Sequence, residues 1–169
     1  MKLKTTALLL AFVLSTSAIA NDTYFGINYL ATDVDFGFVS VNPSAIETKY
    51  GGFVGNNVAI EGRAGFGMTD DSVNGVDVEV DSILGIYAVY NFQPKSNFNP
   101  YALIGYTRGE LSASSSFGSE SESENDVSFG FGADFSISDS SAFNIEWIQY
   151  IDKSGGEVTG FSAGMVWKF

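Results

Sequence analysis

From Thr159 to Phe169, large apolar residues and small or polar ones alternate without a break. Phe161, Ala163, Met165, Trp167 and Phe169 share one parity; Ser162, Gly164, Val166 and Lys168 share the other. A period of two is the side-chain period of a β-strand. The same rhythm recurs after Ala20 in about eight segments separated by turn residues. They run Tyr24 to Thr32, Ala45 to Val54, Val58 to Met68, Val78 to Phe92, Tyr101 to Thr107, Val127 to Ile137, Phe143 to Ile151 and Thr159 to Phe169. No stretch after Ala20 suits a bilayer-spanning helix. A membrane chain of this kind must close its strands into a barrel, because only closure satisfies every backbone group in hydrocarbon.

The two faces of these segments differ in size and charge. Phe129, Phe131, Phe135, Phe143 and Trp147 crowd one face, while Gly, Ser and Ala dominate the other. An eight-stranded barrel has room inside only for packed side chains, so the small face fits the lumen. Mid-strand charge then falls inward, where it escapes the cost of facing lipid. The expected lumen charges are Glu47, Lys49, Glu61, Arg63, Arg108, Asp134, Glu146 and Lys168. In the fifth segment the parity is ambiguous; placing Tyr101 and Leu103 outward brings Arg108 inward. Val80 and Ile151 go with the outward aromatics of their segments. A structural ion-pair network accounts for such charges, since buried charges persist when paired; the alternative is a lined pore. A soluble, secreted barrel of lipocalin type requires the aromatic face inside.

The hairpin joining the second and third segments admits a register argument. Directly opposed residues of an antiparallel pair point to the same face. Setting Phe53 opposite Asn57 places Glu47 opposite Arg63 and Lys49 opposite Glu61. The neighbouring registers oppose Glu47 to Glu61 or Lys49 to Arg63, both like-charged. The ion-paired register is therefore expected.

Connections alternate in length. Gly55 to Asn57 and Ser138 to Ser141 are tight, and Gln93 to Pro100 is moderate. Those after the first and third segments, and above all Gly109 to Asp126, are longer. Short periplasmic turns with longer outer loops have this asymmetry. Ser112 to Asn125 is low-complexity and acidic. Together Glu110, Glu120, Glu122, Glu124 and Asp126 make an acidic surface loop, expected to be solvated and mobile. Its functional alternatives are divalent-cation bridging to lipopolysaccharide phosphates or capture of a basic partner.

The first twenty residues carry Lys2 and Lys4, an apolar run from Ala7 to Leu14 and an Ala18-Ile19-Ala20 ending. That is the order of a cleavable export signal. Cleavage after Ala20 leaves a 149-residue mature barrel domain, 21–169, with six basic residues against twenty acidic and a net charge of −14. Such a chain repels nucleic acid. There is no Cys, so no disulfide holds the fold, and no His, the usual general base and metal ligand.

The C-terminal pattern Ser162, Gly164, Trp167, Phe169 resembles the assembly signal of Gram-negative outer-membrane β-barrels, which the barrel-assembly machinery reads. With the export signal, the eight segments, the stretch Pro100-Tyr101-Ala102-Leu103-Ile104-Gly105-Tyr106 and the trio Phe143, Glu146, Trp147, the mature chain resembles the small OmpA/OmpX-type barrel family. The resemblance implies an all-β, eight-stranded, antiparallel up-and-down transmembrane barrel in the outer membrane, without a peptidoglycan-binding domain. It implies contact with outer-membrane lipids and lipopolysaccharide, a monomeric state, and an open possibility of an extracellular partner at the loops. Family members include structural barrels, surface-interaction proteins and a few lipid-modifying enzymes. The enzymes use His, which this chain lacks, so no enzymatic activity, catalytic residue, metal or cofactor is expected. An Asp/Glu-only mechanism at Asp70 and Asp71, or at Asp33 and Asp35, competes with ordinary turn chemistry. The expected role is envelope-structural or surface-interacting; a narrow or gated channel for ions or small solutes is the alternative.

Overall fold

The computed structural model describes residues 22–37, 40–73, 76–115, 118–153 and 156–169. The expected export signal lies outside them. Eight long strands form the wall: β1 (Thr23–Asp35), β3 (Ser44–Phe53), β4 (Val58–Thr69), β6 (Val76–Asn91), β7 (Phe98–Ser115), β8 (Gly118–Ser138), β9 (Ser141–Lys153) and β10 (Gly156–Lys168). Two short strands, β2 (Ser40–Val41) and β5 (Asp71–Val73), add to β1 and β6 at one end. Each long strand pairs antiparallel with its sequence neighbour, and β10 returns to pair with β1 from Tyr24↔Lys168 to Asp35↔Glu157. The result is an all-β, closed, eight-stranded, up-and-down antiparallel barrel. Among the described residues no helix is long and apolar enough to cross a membrane.

The wall is inverted relative to a soluble barrel. Phe131 is 62% exposed, Phe66 58% and Phe161 55%, whereas Glu47 is fully buried and Arg63 4% exposed. Large apolar side chains in water are unfavourable; facing lipid tails they are not, and the charges pair inside. The soluble lipocalin-type reading needs the reverse arrangement and is excluded. Aromatic contacts brace the outer face across strands, as with Phe25 stacked on Trp167 at 6.4 Å across the β1–β10 seam and Phe131 packed on Trp147 at 5.4 Å.

Several expected placements are corrected. Tyr101 and Leu103 are buried in the lumen, and Arg108 is exposed on the outer surface, where its Nη2 donates to Ser123 Oγ at 3.2 Å. One charge cannot fix a strand's parity when the strand continues past it as a polar ribbon, where an outward Arg costs little. Val80 is also buried, because the β6–β7 register shifts between Val80 and Ser82. A bulge inserts one residue and reverses the facing of everything beyond it. Ile151 turns inward in the same way, beside the β9–β10 shift at Val158 and Thr159.

The β3–β4 register also differs from the ion-paired one. Lys49 lies opposite Arg63, Glu47 opposite Gly65 and Gly51 opposite Glu61, with Phe53 opposite Ala59. The turn is correspondingly longer, closed by Val54 N donating to Val58 O at 2.9 Å. All four charges nevertheless stay in the lumen.

The segment 109–126, expected to be a loop, is strand through most of its length. β7 and β8 continue pairing from Gly109↔Glu124 to Ser115↔Gly118. Ser112 Oγ and Ser121 Oγ lie 2.8 Å apart across this ribbon. Low apolar content does not melt a hairpin whose register is already set by the buried strands below it.

Candidate functional site

The lumen concentrates buried charge. Arg63, on β4, is its centre. Arg63 Nε donates to Glu61 Oε1 at 2.5 Å and Nη1 to Glu47 Oε1 at 3.2 Å. Across the lumen, Nη1 donates to Glu146 Oε1 and Nη2 to Glu146 Oε2 at 2.8 Å, a fork on a carboxylate of β9. Lys49 Nζ stands 3.8 Å from Glu146 Oε2 and donates to Asn144 Oδ1 at 2.9 Å.

Each carboxylate also accepts a tyrosine hydroxyl. Tyr24 donates to Glu61 at 2.9 Å, Tyr101 to Glu146 at 2.7 Å and Tyr150 to Glu47 at 2.9 Å. Arg63 sits over the Tyr87 ring, 4.8 Å from its centroid. Glycines on neighbouring strands make room for these rings. A Cβ on Gly51 would lie 2.5 Å from the Tyr24 hydroxyl oxygen, and one on Gly132 2.5 Å from that of Tyr101. The tyrosines, with Asn28 and Asn144, are the residues that reading charge alone misses. Their signal is a polar-tipped aromatic on the same parity as the charges.

Of the other expected lumen charges, Asp134 joins the cluster's edge through Asn144, whereas among the described residues Lys168 and Arg108 make no ion pair with it. Asp134, half-buried, accepts from Asn144 Nδ2 at 2.7 Å. Lys168, also half-buried, lines the lower mouth. Arg108 is outside, as described.

Two cavities flank the cluster. At the short-turn end, one of about 510 Å³ is lined by Lys49, Glu61, Asn99, Tyr101, Asp134 and Lys168 among others. At the ribbon end, one of about 650 Å³ is lined by Val34, Phe36, Leu111, Glu120, Glu122 and Val158 among others. Between them lie the ion-paired layer and a layer of buried apolar side chains, Val80, Ile83 and Leu30 included.

The residues of the expected assembly signal gather on β10, at the β1–β10 seam. Ser162 Oγ accepts from Asn28 Nδ2 at 3.3 Å, and a Cβ on Gly164 would collide with the Ile27 carbonyl oxygen. Trp167 stacks on Phe25, and Phe169 N donates to Thr23 O at 2.8 Å.

The acidic residues lie on the ribbon. Glu120, Glu122 and Glu124 are exposed; Glu110 and Asp126 are partly covered. Lys153 pairs with Glu124 at 2.5 Å, and this bond holds its ammonium above the usual lysine range. Asp126 accepts from the backbone N–H of Asp152 at 2.9 Å and of Val127 at 2.8 Å, which lowers its carboxyl below the usual value. Asp35 and Asp71 do turn chemistry, accepting from Gly37 N at 2.6 Å and Asn42 N at 2.8 Å. Among the described residues no cluster has the make-up of a metal site.

The family model of the outer membrane protein beta-barrel domain matches residues 6–169. No curated protein matches the sequence. Among solved structures, Neisserial surface protein A aligns with 14% identity over 87% of this chain and 97% of its own, at a TM-score of 0.73. Ail, the attachment invasion locus protein of Yersinia pestis, aligns with 19% identity over 88% of this chain and 98% of its own, at 0.66. Ail in complex with the heparin analogue sucrose octasulfate aligns with 20% identity over 88% and 98%, at 0.64. At these identities the likeness is one of fold.

Proposed function

The chain belongs to the outer membrane protein beta-barrel domain family, and we propose that it serves there as a closed, non-enzymatic barrel presenting its ribbon end outside the cell. The observation that carries this reading is the mid-lumen cluster. Arg63 is bound by three carboxylates, and three tyrosine hydroxyls fill the remaining acceptor sites. Eight strands leave little free width, and this width is occupied. A solute would have to break several buried charge-assisted bonds at once to pass.

The short turns at the opposite end fit the periplasm and the long ribbon fits the exterior. The apolar outer wall fits outer-membrane lipid, with lipopolysaccharide at its rim. Ser hydroxyls on the ribbon have no His beside them to activate a nucleophile. Ail is known here as an attachment protein and in complex with a polysulfated ligand. Surface interaction is compatible with this barrel, but the same ligand is not, since Glu120, Glu122 and Glu124 would repel a polyanion.

The two cavities on either side of one plug favour a second reading, a gated conduit for ions or small solutes. Planar-bilayer recording decides between them. The closed-barrel reading expects no steady conductance from the native protein. A stable open level, abolished by blocking the lumen, establishes the conduit instead.

A further inference from the structure

The cavity at the short-turn end is a cup. The ion-paired layer and the buried apolar layer of Leu30, Val80 and Ile83 close it toward the ribbon. Its volume, about 510 Å³, falls in the range of small-molecule sites, roughly 300–1,000 Å³. Two side chains of opposite charge line it without meeting. Lys49, on β3, is 3% exposed, and Asp134, on β8, is half-buried. Among the described residues no ion pair joins them. Asn144, on β9, stands between: its Oδ1 accepts from Lys49 Nζ at 2.9 Å and its Nδ2 donates to Asp134 Oδ1 at 2.7 Å.

Neither charge is fully partnered. An ammonium carries three N–H donors. Among the described residues only Asn144 accepts a hydrogen bond from Lys49; Glu146 Oε2, at 3.8 Å, is near enough to attract the charge and too far to accept. Asn144 Oδ1 is already shared, since it also accepts from Asn28 Nδ2 at 3.0 Å. Two N–H donors of a buried ammonium on the cavity wall therefore lack a protein acceptor, an unfavourable state unless the cavity supplies one. Asp134 has the complementary lack. Its Oδ1 takes the Asn144 amide, and among the described residues its Oδ2 takes no donor. Glu61, on the same wall, is by contrast spent on Arg63 and Tyr24. Lys168, at the mouth, makes no ion pair with Asp134 among the described residues.

We infer that the cup binds a small α-amino acid as its zwitterion, the ligand carboxylate on the Lys49 ammonium and the ligand ammonium on the Asp134 carboxylate. Asn144 already presents the required order, an acceptor toward Lys49 and a donor toward Asp134, one amide apart. An α-amino acid offers the same order across its α-carbon and carries charge at both ends, so both contacts become charge-assisted. A simple anion would satisfy Lys49 and be repelled by Asp134; a simple cation would do the reverse. Only the compartment from which the ligand comes rests on the membrane orientation proposed above.

The test is an NMR titration of the protein purified folded in octyl glucoside, a neutral detergent whose micelles expose both mouths. Glycine is the probe and the Asn144 side-chain amide the reporter. Glycine should shift that resonance saturably. Acetate, which lacks the ammonium, and glycinamide, which lacks the carboxylate, should each bind about tenfold more weakly, having lost one of two charge-assisted contacts. Asp134→Asn keeps the side chain's shape and should lower glycine affinity to that of acetate. Lys49→Gln should lower it to that of glycinamide. Asp134 makes no contact with Arg63, so the first variant decides the matter even where the second fails to fold. Acetate binding as tightly as glycine, or unchanged glycine affinity in Asp134→Asn, overturns the inference. So does the absence of a saturable shift, which would leave the cup to water alone. Micelles have no sidedness, so none of these outcomes touches membrane orientation, and labelling of intact cells tests that separately.

Discussion

Lys49 lies directly opposite Arg63 on the β3–β4 ladder, and the two cations share one counter-ion, Glu146, on the far wall of the lumen. Facing like charges across a ladder is unfavourable when only the two strands are considered. Inside a narrow barrel the opposite wall is also within reach. The fork from Arg63 to Glu146 and the approach of Lys49 to the same carboxylate replace the local pairs that neighbouring strands would otherwise supply.

Removing Arg63 should therefore cost more than removing the pair. Arg63→Ala strands three buried carboxylates and is expected to lower stability by roughly 3–5 kcal/mol. Adding Glu146→Ala should recover part of that loss. Urea titration of barrel refolded in lipid vesicles measures both. A double variant no more stable than the single one would mean that Glu146 is not the principal partner.

The two faces should respond in opposite ways to added bulk and charge. Phe131→Arg is expected to cost roughly 2–4 kcal/mol at the membrane midplane. On the lumen face the cost depends on the tyrosines. Gly132→Ser must displace the Tyr101 ring or the Ile145 carbonyl, 2.6 Å from an added Cβ, and should destabilise. Gly65→Ala meets Ile83 Cβ at 3.5 Å and the Ile46 carbonyl oxygen at 3.7 Å, ordinary van der Waals distances, and should be tolerated. Parity alone predicts that Gly132→Ser is mild, so refolding yields of the two glycine variants separate parity from packing.

Membrane orientation can be read by single-cysteine labelling, since the chain has no Cys. Ser121→Cys on the ribbon should react with an impermeant maleimide in intact cells. Ser96→Cys, in the β6–β7 connection, should react only after lysis. The reverse pattern would invert the barrel in its membrane.

The Asp126 carboxyl makes one corner of the ribbon base acid-sensitive. Its ionised form is favoured by two backbone N–H groups, so its folded value lies below its unfolded one. The stability it contributes is complete above the unfolded value and is lost as pH falls through the folded value. Asp126→Asn should reduce protection of the Asp152 amide from hydrogen exchange at neutral pH, and the difference from the native chain should vanish in strong acid. A difference that persists there would assign the effect to packing.

Deleting Phe169 removes its two backbone bonds with Thr23 and the end of the seam. If Ser162, Gly164, Trp167 and Phe169 also form the signal read by the assembly machinery, outer-membrane levels should fall while in-vitro refolding changes little. Equal losses in both would leave only the structural role.

What the sequence reveals here depends on how far each inference reaches. Glu47, Lys49, Glu61 and Arg63 are legible as lumen residues because strict alternation is a local property, readable within one strand. Val80 and Ile151 are not, because a one-residue bulge reverses parity without altering composition. Arg108 misleads since its strand runs on into the ribbon, and a charge at the ribbon's base is spared the cost of facing mid-membrane hydrocarbon. The register of β3 on β4 is hidden for a third reason: Glu146 is more than eighty positions downstream of its partner Arg63, and no two-strand argument includes it. The ribbon shows the converse, a segment whose composition suggests disorder but whose strands are held in register from below.

The seam between β1 and β10 carries a kinetic consequence. Every other pairing joins strands that are neighbours along the chain, so those hairpins can form early and cheaply. The seam joins Tyr24 to Lys168, the pairing of longest sequence separation in the wall, so its closure entropy is met only after the intervening hairpins have drawn the chain ends together. Until it forms, both edges of a seven-hairpin sheet stay open with unpaired backbone groups, the condition under which strands add to other chains. Closing the seam removes both open edges at once.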